Sequence, residues 1–337
     1  HLFFSELDDS YVGEIIATKT YNPIINHKNY SPRIIEWMTK KGFVKGISAK
    51  GYPEYFLETL DHPKRLWEKP FLNHISDYAR HLLLVLLSIG AKVESKKLRK
   101  AFESFHVQTC KKYNLKSSPS DFNSATEELL GGFLKTENHE ISYTNPSLKD
   151  FIELWVSENK NVLIDLLNGS AFLSQCQIIW KMCNASSEYE EKISDLTGHM
   201  ISSIAALKDN PSYIARKLPG GAEWYKYDLN YIERLSLYVL IYIRRQKDDL
   251  LKIIDQTLDM SASSEEIQKG DIYYWVDLGL DVLRYCEEGL LPKVILEKFQ
   301  KIVIDFIDAA WGMNDFSSLA RAVDMELIDK KCENHIR

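Results

Sequence analysis

Nine histidines, five cysteines and several paired carboxylates are the raw material for chemistry in this 337-residue chain. Their spacing builds little. The histidines lie apart, with no His-Glu-x-x-His and no Cys/His cluster, so no metal site is expected. The acidic pairs Glu127-Glu128, Asp248-Asp249 and Glu287-Glu288 read as solvated helix faces. No Ser or Cys occupies a recognisable nucleophile elbow. The dipeptide Gly-Lys never occurs, so the chain has no loop to cradle a β-phosphate and position magnesium. Ile302-Val303-Ile304-Asp305 has the look of the acidic strand of a nucleotide hydrolase, but Asp305 falls within an amphipathic helical pattern. No catalytic residue is expected, and this chain alone should not hydrolyse ATP.

One charged residue is placed against local preference. In Asn29-Tyr30-Ser31-Pro32-Arg33-Ile34-Ile35-Glu36-Trp37, Ser31 can cap a helix, Pro32 suits its first position and Tyr30 can pack onto Ile35. Arg33 then projects from the first turn, where a positive charge opposes the helix dipole. Its partner is either an anion, such as a nucleotide phosphate, or a nearby carboxylate of the fold.

The elements that would position these residues are mainly helical. Glycine (15) and proline (10) are scarce, while apolar residues make up 45% and charged residues 27% of the chain. Residues 1–62 read as a small domain of short helices, with a loop at 20–30 and helices from Pro32 and after Tyr52. Residues 62–74, with Pro63 and Pro70 around a buried Trp67, read as a link. Residues 63–158 as a whole read as a second domain. Helices are expected from Ile75 to Ile89, from Glu94 to Phe105, and from Ser120 or Asp121 to Leu130. Phe133-Leu134-Lys135 and Ile141-Ser142-Tyr143 then form strands around a Glu137-Asn138-His139 turn. Three helices followed by a β-hairpin is the winged-helix order. A further helix starts at Asn145-Pro146. Residues 159–337 read as an irregular array of helical hairpins, with breaks near Pro211, Pro219-Gly220-Gly221 and Gly289 and no strict repeat.

Charge and thiol content narrow the class. Net charge is −6, so no global field attracts nucleic acid. The expected recognition helix holds Asp121, Glu127 and Glu128 and no Lys or Arg, which a phosphate backbone would repel. The cations gather instead at Lys92, Lys96, Lys97, Arg99, Lys100, Lys111, Lys112 and Lys116, a stripe that reads first as a solvated face, then as a protein-docking patch or a nucleic-acid contact. Five scattered cysteines without zinc or disulfide spacing fit a reducing, cytoplasmic setting. The longest apolar run, 82–87, is too short to span a bilayer.

Three stretches carry a resemblance. Asn29-Tyr30-Ser31-Pro32-Arg33-Ile34-Ile35-Glu36 resembles the Asn-Tyr-x-Pro-Arg-Ile-Ile-Glu signature of bacterial STAND-type NTPases, signalling relatives of AAA+ ATPases and NLR receptors. Thr144-Asn145-Pro146-Ser147-Leu148-Lys149-Asp150-Phe151 resembles a second family motif, placed where NLR-type relatives carry a Met-His-Asp element; the histidine is absent here. Trp67-Glu68-Lys69-Pro70-Phe71 is similar to the family's link between its helical and winged-helix domains. The resemblance covers about residues 1–158. It implies that Asn29, Tyr30, Pro32 and Arg33 lie on the nucleotide side of a longer protein. Arg33 would reach a phosphate, and Asn145, Pro146 and Asp150 would face the same site more weakly. It further implies ATP or ADP with Mg bound with the help of an upstream P-loop domain, an N-terminal effector, and a role in anti-phage defence. The His1-Leu2-Phe3-Phe4 opening, without Met, fits that expectation of a longer protein.

The helical array would then sense a protein ligand or self-associate. Tyr213, Trp224 and Tyr225, near Pro219-Gly220-Gly221, are a candidate partner surface, or else packing between hairpins. Two other readings stand beside this one: a stand-alone helical protein-interaction module, and a winged-helix DNA-binding regulator.

Overall fold

The computed structural model describes residues 7–30, 35, 38, 39, 44, 46–184, 190–218, 221–262 and 272–309. Pro32 and Arg33, and the terminal stretch from Lys330, lie outside the described residues. The chain forms two compact units. One comprises His1–Ala171 with Ile178–Ser187, the other Phe172–Gln177 with Glu188–Arg337.

The first unit opens with α1 (Asp9–Ala17), α2 (Tyr21–Ile25) and α3 (Tyr52–Asp61). Helix α2 occupies the stretch expected to be a loop. The Tyr11 hydroxyl donates to the Ile47 carbonyl at 2.7 Å and the Tyr52 hydroxyl to the Met38 carbonyl at 2.9 Å, while the two rings meet edge-on. These bonds fasten Ile47 to α1 and Met38 to α3.

Residues 63–73 are a helix, α4 (Pro63–Asn73), where a link was expected. Proline is compatible with helix at its first position, and Pro63 sits there after the extended His62. Pro70 lies inside the same helix. Trp67 on α4 is fully buried, as expected. Its indole N–H donates to the Ser147 hydroxyl at 3.0 Å. Phe71, one turn on, packs edge-on against Phe151 and Trp155.

The centre of the unit is α5 (Asp77–Ile89), where every side chain from His81 to Ile89 is buried. A helix apolar all round must be covered on all sides. Around it pack α6 (Ser95–Tyr113), α7 (Asp121–Leu129), α8 (Pro146–Glu158) and α9 (Lys160–Asn168). Ser76 caps α5 by accepting the Ala79 N–H. Its own hydroxyl and N–H donate to Glu128 at 2.6 and 2.8 Å. Glu128 is therefore a clasp between α7 and α5, where a solvated face was expected. Helix α6 runs eight residues past its expected end at Phe105. It stops at Asn114, whose φ of 56° is the left-handed conformation that asparagine tolerates. Lys111 and Lys112 thus lie on its last turn, where cations favour the dipole.

Three antiparallel strands complete this part: β1 (Lys92–Glu94), β2 (Leu134–Glu137) and β3 (Glu140–Tyr143), in the order β1-β3-β2. Ile141 at the centre pairs with Val93 on one side and Thr136 on the other. The β2–β3 turn uses Asn138 and His139, both at positive φ. The Tyr143 hydroxyl donates to the Leu83 carbonyl and ties the sheet to α5. Strand β1 was not expected.

The second unit contains α11 (Glu190–Leu207), β4 (Tyr213–Leu218), β5 (Gly221–Lys226), α12 (Tyr231–Arg245), α13 (Asp248–Ala262), α14 (Ile272–Glu287) and α15 (Lys293–Ala309). Helix α10 (Leu173–Asn184) contributes residues to both units. The breaks expected near Pro211 and Gly289 fall after α11 and between α14 and α15. The antiparallel β4–β5 hairpin corrects the reading of this region as helices alone. Helix α12 starts with a complete capping box, in which Asn230 and Glu233 each accept the other's backbone N–H. Trp275 and Phe299 are buried against each other at 5.7 Å between ring centres. Asp305 is exposed on α15, as expected.

Among the described residues no helix is long and apolar enough to cross a membrane.

Candidate functional site

The residues expected on a nucleotide side have structural employment where they are described. Asn29 is buried and donates its side-chain amide to the Leu60 carbonyl at 2.8 Å, locking the loop after α2 onto the end of α3. Its N–H donates to His27 Nδ1, and His27 Nε2 meets Asp61 at 3.0 Å. Tyr30 is exposed. Asn145 is the cap of α8, accepting the Ser147 N–H at 2.9 Å. Pro146 is the first residue of that helix and Asp150 faces solvent. The side-chain amide nitrogen of Asn29 and the amide oxygen of Asn145 are thus engaged inside the fold.

The aromatic residues near Pro219-Gly220 fall on one hairpin. Tyr213 pairs with Lys226, and Trp224 with Ala215. Strand alternation puts Tyr225 on the opposite face from Trp224. Trp224 is 65% exposed.

Three cations of the stripe have partners within the first unit. Lys92 meets Glu140 at 2.7 Å; Arg99 donates to the Asn123 side-chain oxygen Oδ1 at 2.6 Å and lies over the Phe122 ring. Lys112 and the Tyr113 hydroxyl both reach the buried Asp165 carboxylate, at 2.6 and 2.7 Å.

The densest chemistry was not expected. His81 from α5 and His106 and Cys110 from α6 are all buried, and their ligating atoms lie within 4.8 Å of one another. His106 and Cys110 are four residues apart and so share one helix face. Asp121, the first residue of α7, accepts from His106 Nε2 at 2.9 Å and from the Ser118 N–H at 2.6 Å. A carboxylate only accepts, so Nε2 carries the proton and a neutral His106 presents a bare Nδ1. His81 Nδ1 lies 2.8 Å from that atom and therefore donates to it. Phe102 stacks on the His106 ring at 4.8 Å.

Burial, then the neighbouring His106, pulls the His81 imidazole down to about 4. Burial likewise raises the Cys110 thiol, and the carboxylates Asp121 and Asp77 raise it further. Cys110 Sγ sits 3.5 and 3.7 Å from the two His106 nitrogens and 3.8 Å from the Lys116 carbonyl. A thiol held neutral, beside an imidazole already hydrogen-bonded at both nitrogens, is poorly suited to act as a nucleophile. The same donor set can hold a soft or borderline metal ion. The only local signal in the sequence was the i, i+4 spacing of His106 and Cys110; His81 arrives through tertiary packing.

Comparison with protein-family models, curated proteins and solved structures gives no significant match.

Proposed function

We propose that this chain is a non-catalytic part of a STAND-like signalling NTPase, possessing a small helical domain (1–62), a winged-helix domain (63–158) and a helical sensing or oligomerisation region (159–337). The observation that carries this reading is the order helix, short strand, helix, helix, hairpin over Asp77–Tyr143. In it the first strand pairs with the last, directly after a cluster of short helices. That order supports a winged-helix reading at the position the resemblance implies. ATP or ADP with Mg would be held mainly by an upstream P-loop domain. Arg33 would be this chain's contribution. Four buried free thiols, Cys110, Cys176, Cys183 and Cys286, support a reducing cytoplasmic setting.

The winged helix acts as an adaptor rather than a DNA reader. The α7 surface offers Asn123 and Glu127, and Glu128 is spent on Ser76. On the hairpin Lys135 pairs with Glu137. Neither element offers a free cation to a phosphate backbone. The role in anti-phage defence follows from the resemblance alone.

The test is nucleotide binding by the full-length natural protein and by its Arg33→Ala variant. Binding that weakens in the variant supports the reading; absence of nucleotide binding by the natural protein overturns it. A second reading, a stand-alone helical interaction module, is favoured by the exposed Trp224 on the β4–β5 hairpin. It predicts partner binding that nucleotide does not alter.

A further inference from the structure

We infer that His81, His106 and Cys110 form a binding site for a divalent metal ion of the zinc class, with Asp121 as the carboxylate that orients His106. The site stands independently of the nucleotide reading.

Three arguments converge. The first is ligand type. Two imidazoles and a thiol, with no ligating carboxylate among them, suit zinc and its borderline neighbours rather than calcium or magnesium.

The second is spacing. Zinc–nitrogen and zinc–sulfur bonds at tetrahedral angles place N and S about 3.5 Å apart and two nitrogens about 3.3 Å apart. Cys110 Sγ lies 3.7 Å from His106 Nδ1 and 3.5 Å from Nε2, so the separation fits but the thiol must turn about its side chain toward the Nδ1 lone pair. The His81–His106 pair at 2.8 Å needs one ring to withdraw by about 0.5 Å.

The third is orientation. Metal-bound histidines usually donate their other ring N–H to a carboxylate, which fixes the tautomer. Asp121 does this to His106 Nε2, leaving Nδ1 bare and 2.8 Å from His81 Nδ1. Asp121 is itself held by the Ser118 N–H, so the orienting group is supported in turn.

Binding is balanced in protons. The Cys110 thiol releases its proton to solvent as the S–metal bond forms. The proton on His81 Nδ1 moves to Nε2 of the same ring, freeing Nδ1 to ligate. The site would staple α5 to α6, with α7 fastened through Asp121.

The experiment uses the full chain after chelation, titrated with Co²⁺ and followed by absorption. The expected result is stoichiometric binding with a thiolate-to-cobalt charge-transfer band. The band disappears in Cys110→Ser, and Asp121→Asn weakens affinity by about 10–100-fold. Thermal melts of each metal-free variant identify any that fail to fold. The wild-type titration does not depend on them. Absence of a thiolate band in the folded wild-type chain overturns the inference. So does a band that persists unchanged in Cys110→Ser, since another cysteine would then be the ligand.

Discussion

Asp228 caps a helix to which it does not belong: its Oδ2 accepts the Leu173 N–H at 2.7 Å, at the first residue of α10. Its Oδ1 accepts the next N–H, from Ser174, at 2.9 Å. Asp228 is 1% exposed, so those two donors would find no water in its absence. Hydrogen bonds to a charged group contribute about 1.5–3 kcal/mol each, and orphaned buried donors cost a similar amount. Asp228→Ala should therefore lower stability by about 3 kcal/mol, and Asp228→Asn, which keeps one acceptor oxygen, by about half as much. Urea denaturation of the two variants checks the ranking.

Gly169 and Gly198 should respond oppositely to alanine. A Cβ on Gly169 would lie 2.7 Å from the Phe105 Cα and 3.1 Å from the Asp165 carbonyl oxygen, where backbone must shift. Gly169→Ala should destabilise by about 1–3 kcal/mol through overpacking. Gly198, exposed on α11, has nothing within 4 Å of its added Cβ. Gly198→Ala should stabilise by up to about 1 kcal/mol through helix propensity. Paired melting curves read the two signs.

Trp67 and Ser147 are 80 residues apart yet joined by a buried hydrogen bond. Trp67→Ala should cost about 3–5 kcal/mol, mostly from the cavity. Trp67→Phe keeps most of the ring and should lose about 1–2 kcal/mol with the indole N–H. Combining Trp67→Phe with Ser147→Ala should cost less than the sum of the single changes, because both remove the same bond.

Burial pushes the Cys183 thiol up to about 11 from its ordinary 9. The folded state therefore keeps a proton that the unfolded chain loses between pH 9 and pH 11. Stability attributable to this thiol is intact below pH 9 and declines as pH rises through that window. Alkylation of Cys183 in the native protein should be slow at pH 8.5, and denaturant should accelerate it; peptide mapping distinguishes it from the other thiols.

The parts of the fold legible in sequence were those with local chemistry. Asn145-Pro146 announces α8, and Asn138-His139 between short apolar runs announces the β2–β3 turn. Residues whose role depends on distant partners were not legible. Strand β1 has a single apolar residue, Val93, and becomes a strand only by pairing with Ile141. Helix α4 was obscured by two prolines, one of them at the helix start where it is harmless. The β4–β5 hairpin was hidden because Pro219-Gly220-Gly221 reads equally well as a break between helices. His106 and Cys110 lie past Phe105, where the helix was expected to end, so their shared face was missed. His81 joins them because α5 is buried all round, and no periodicity in sequence encodes which neighbour it meets.

The aromatic seam of α4 sets a timetable for a chain emerging from a ribosome. Trp67 and Phe71 are synthesised long before Phe133, Ser147, Phe151 and Trp155, which cover them. At about 5–20 residues per second, the 80 residues between Trp67 and Ser147 take roughly 4–16 s to add. For that interval the oily side of α4 has no native lid. Nascent-chain chaperones should therefore bind intermediates that end before α8 more readily than those that include it.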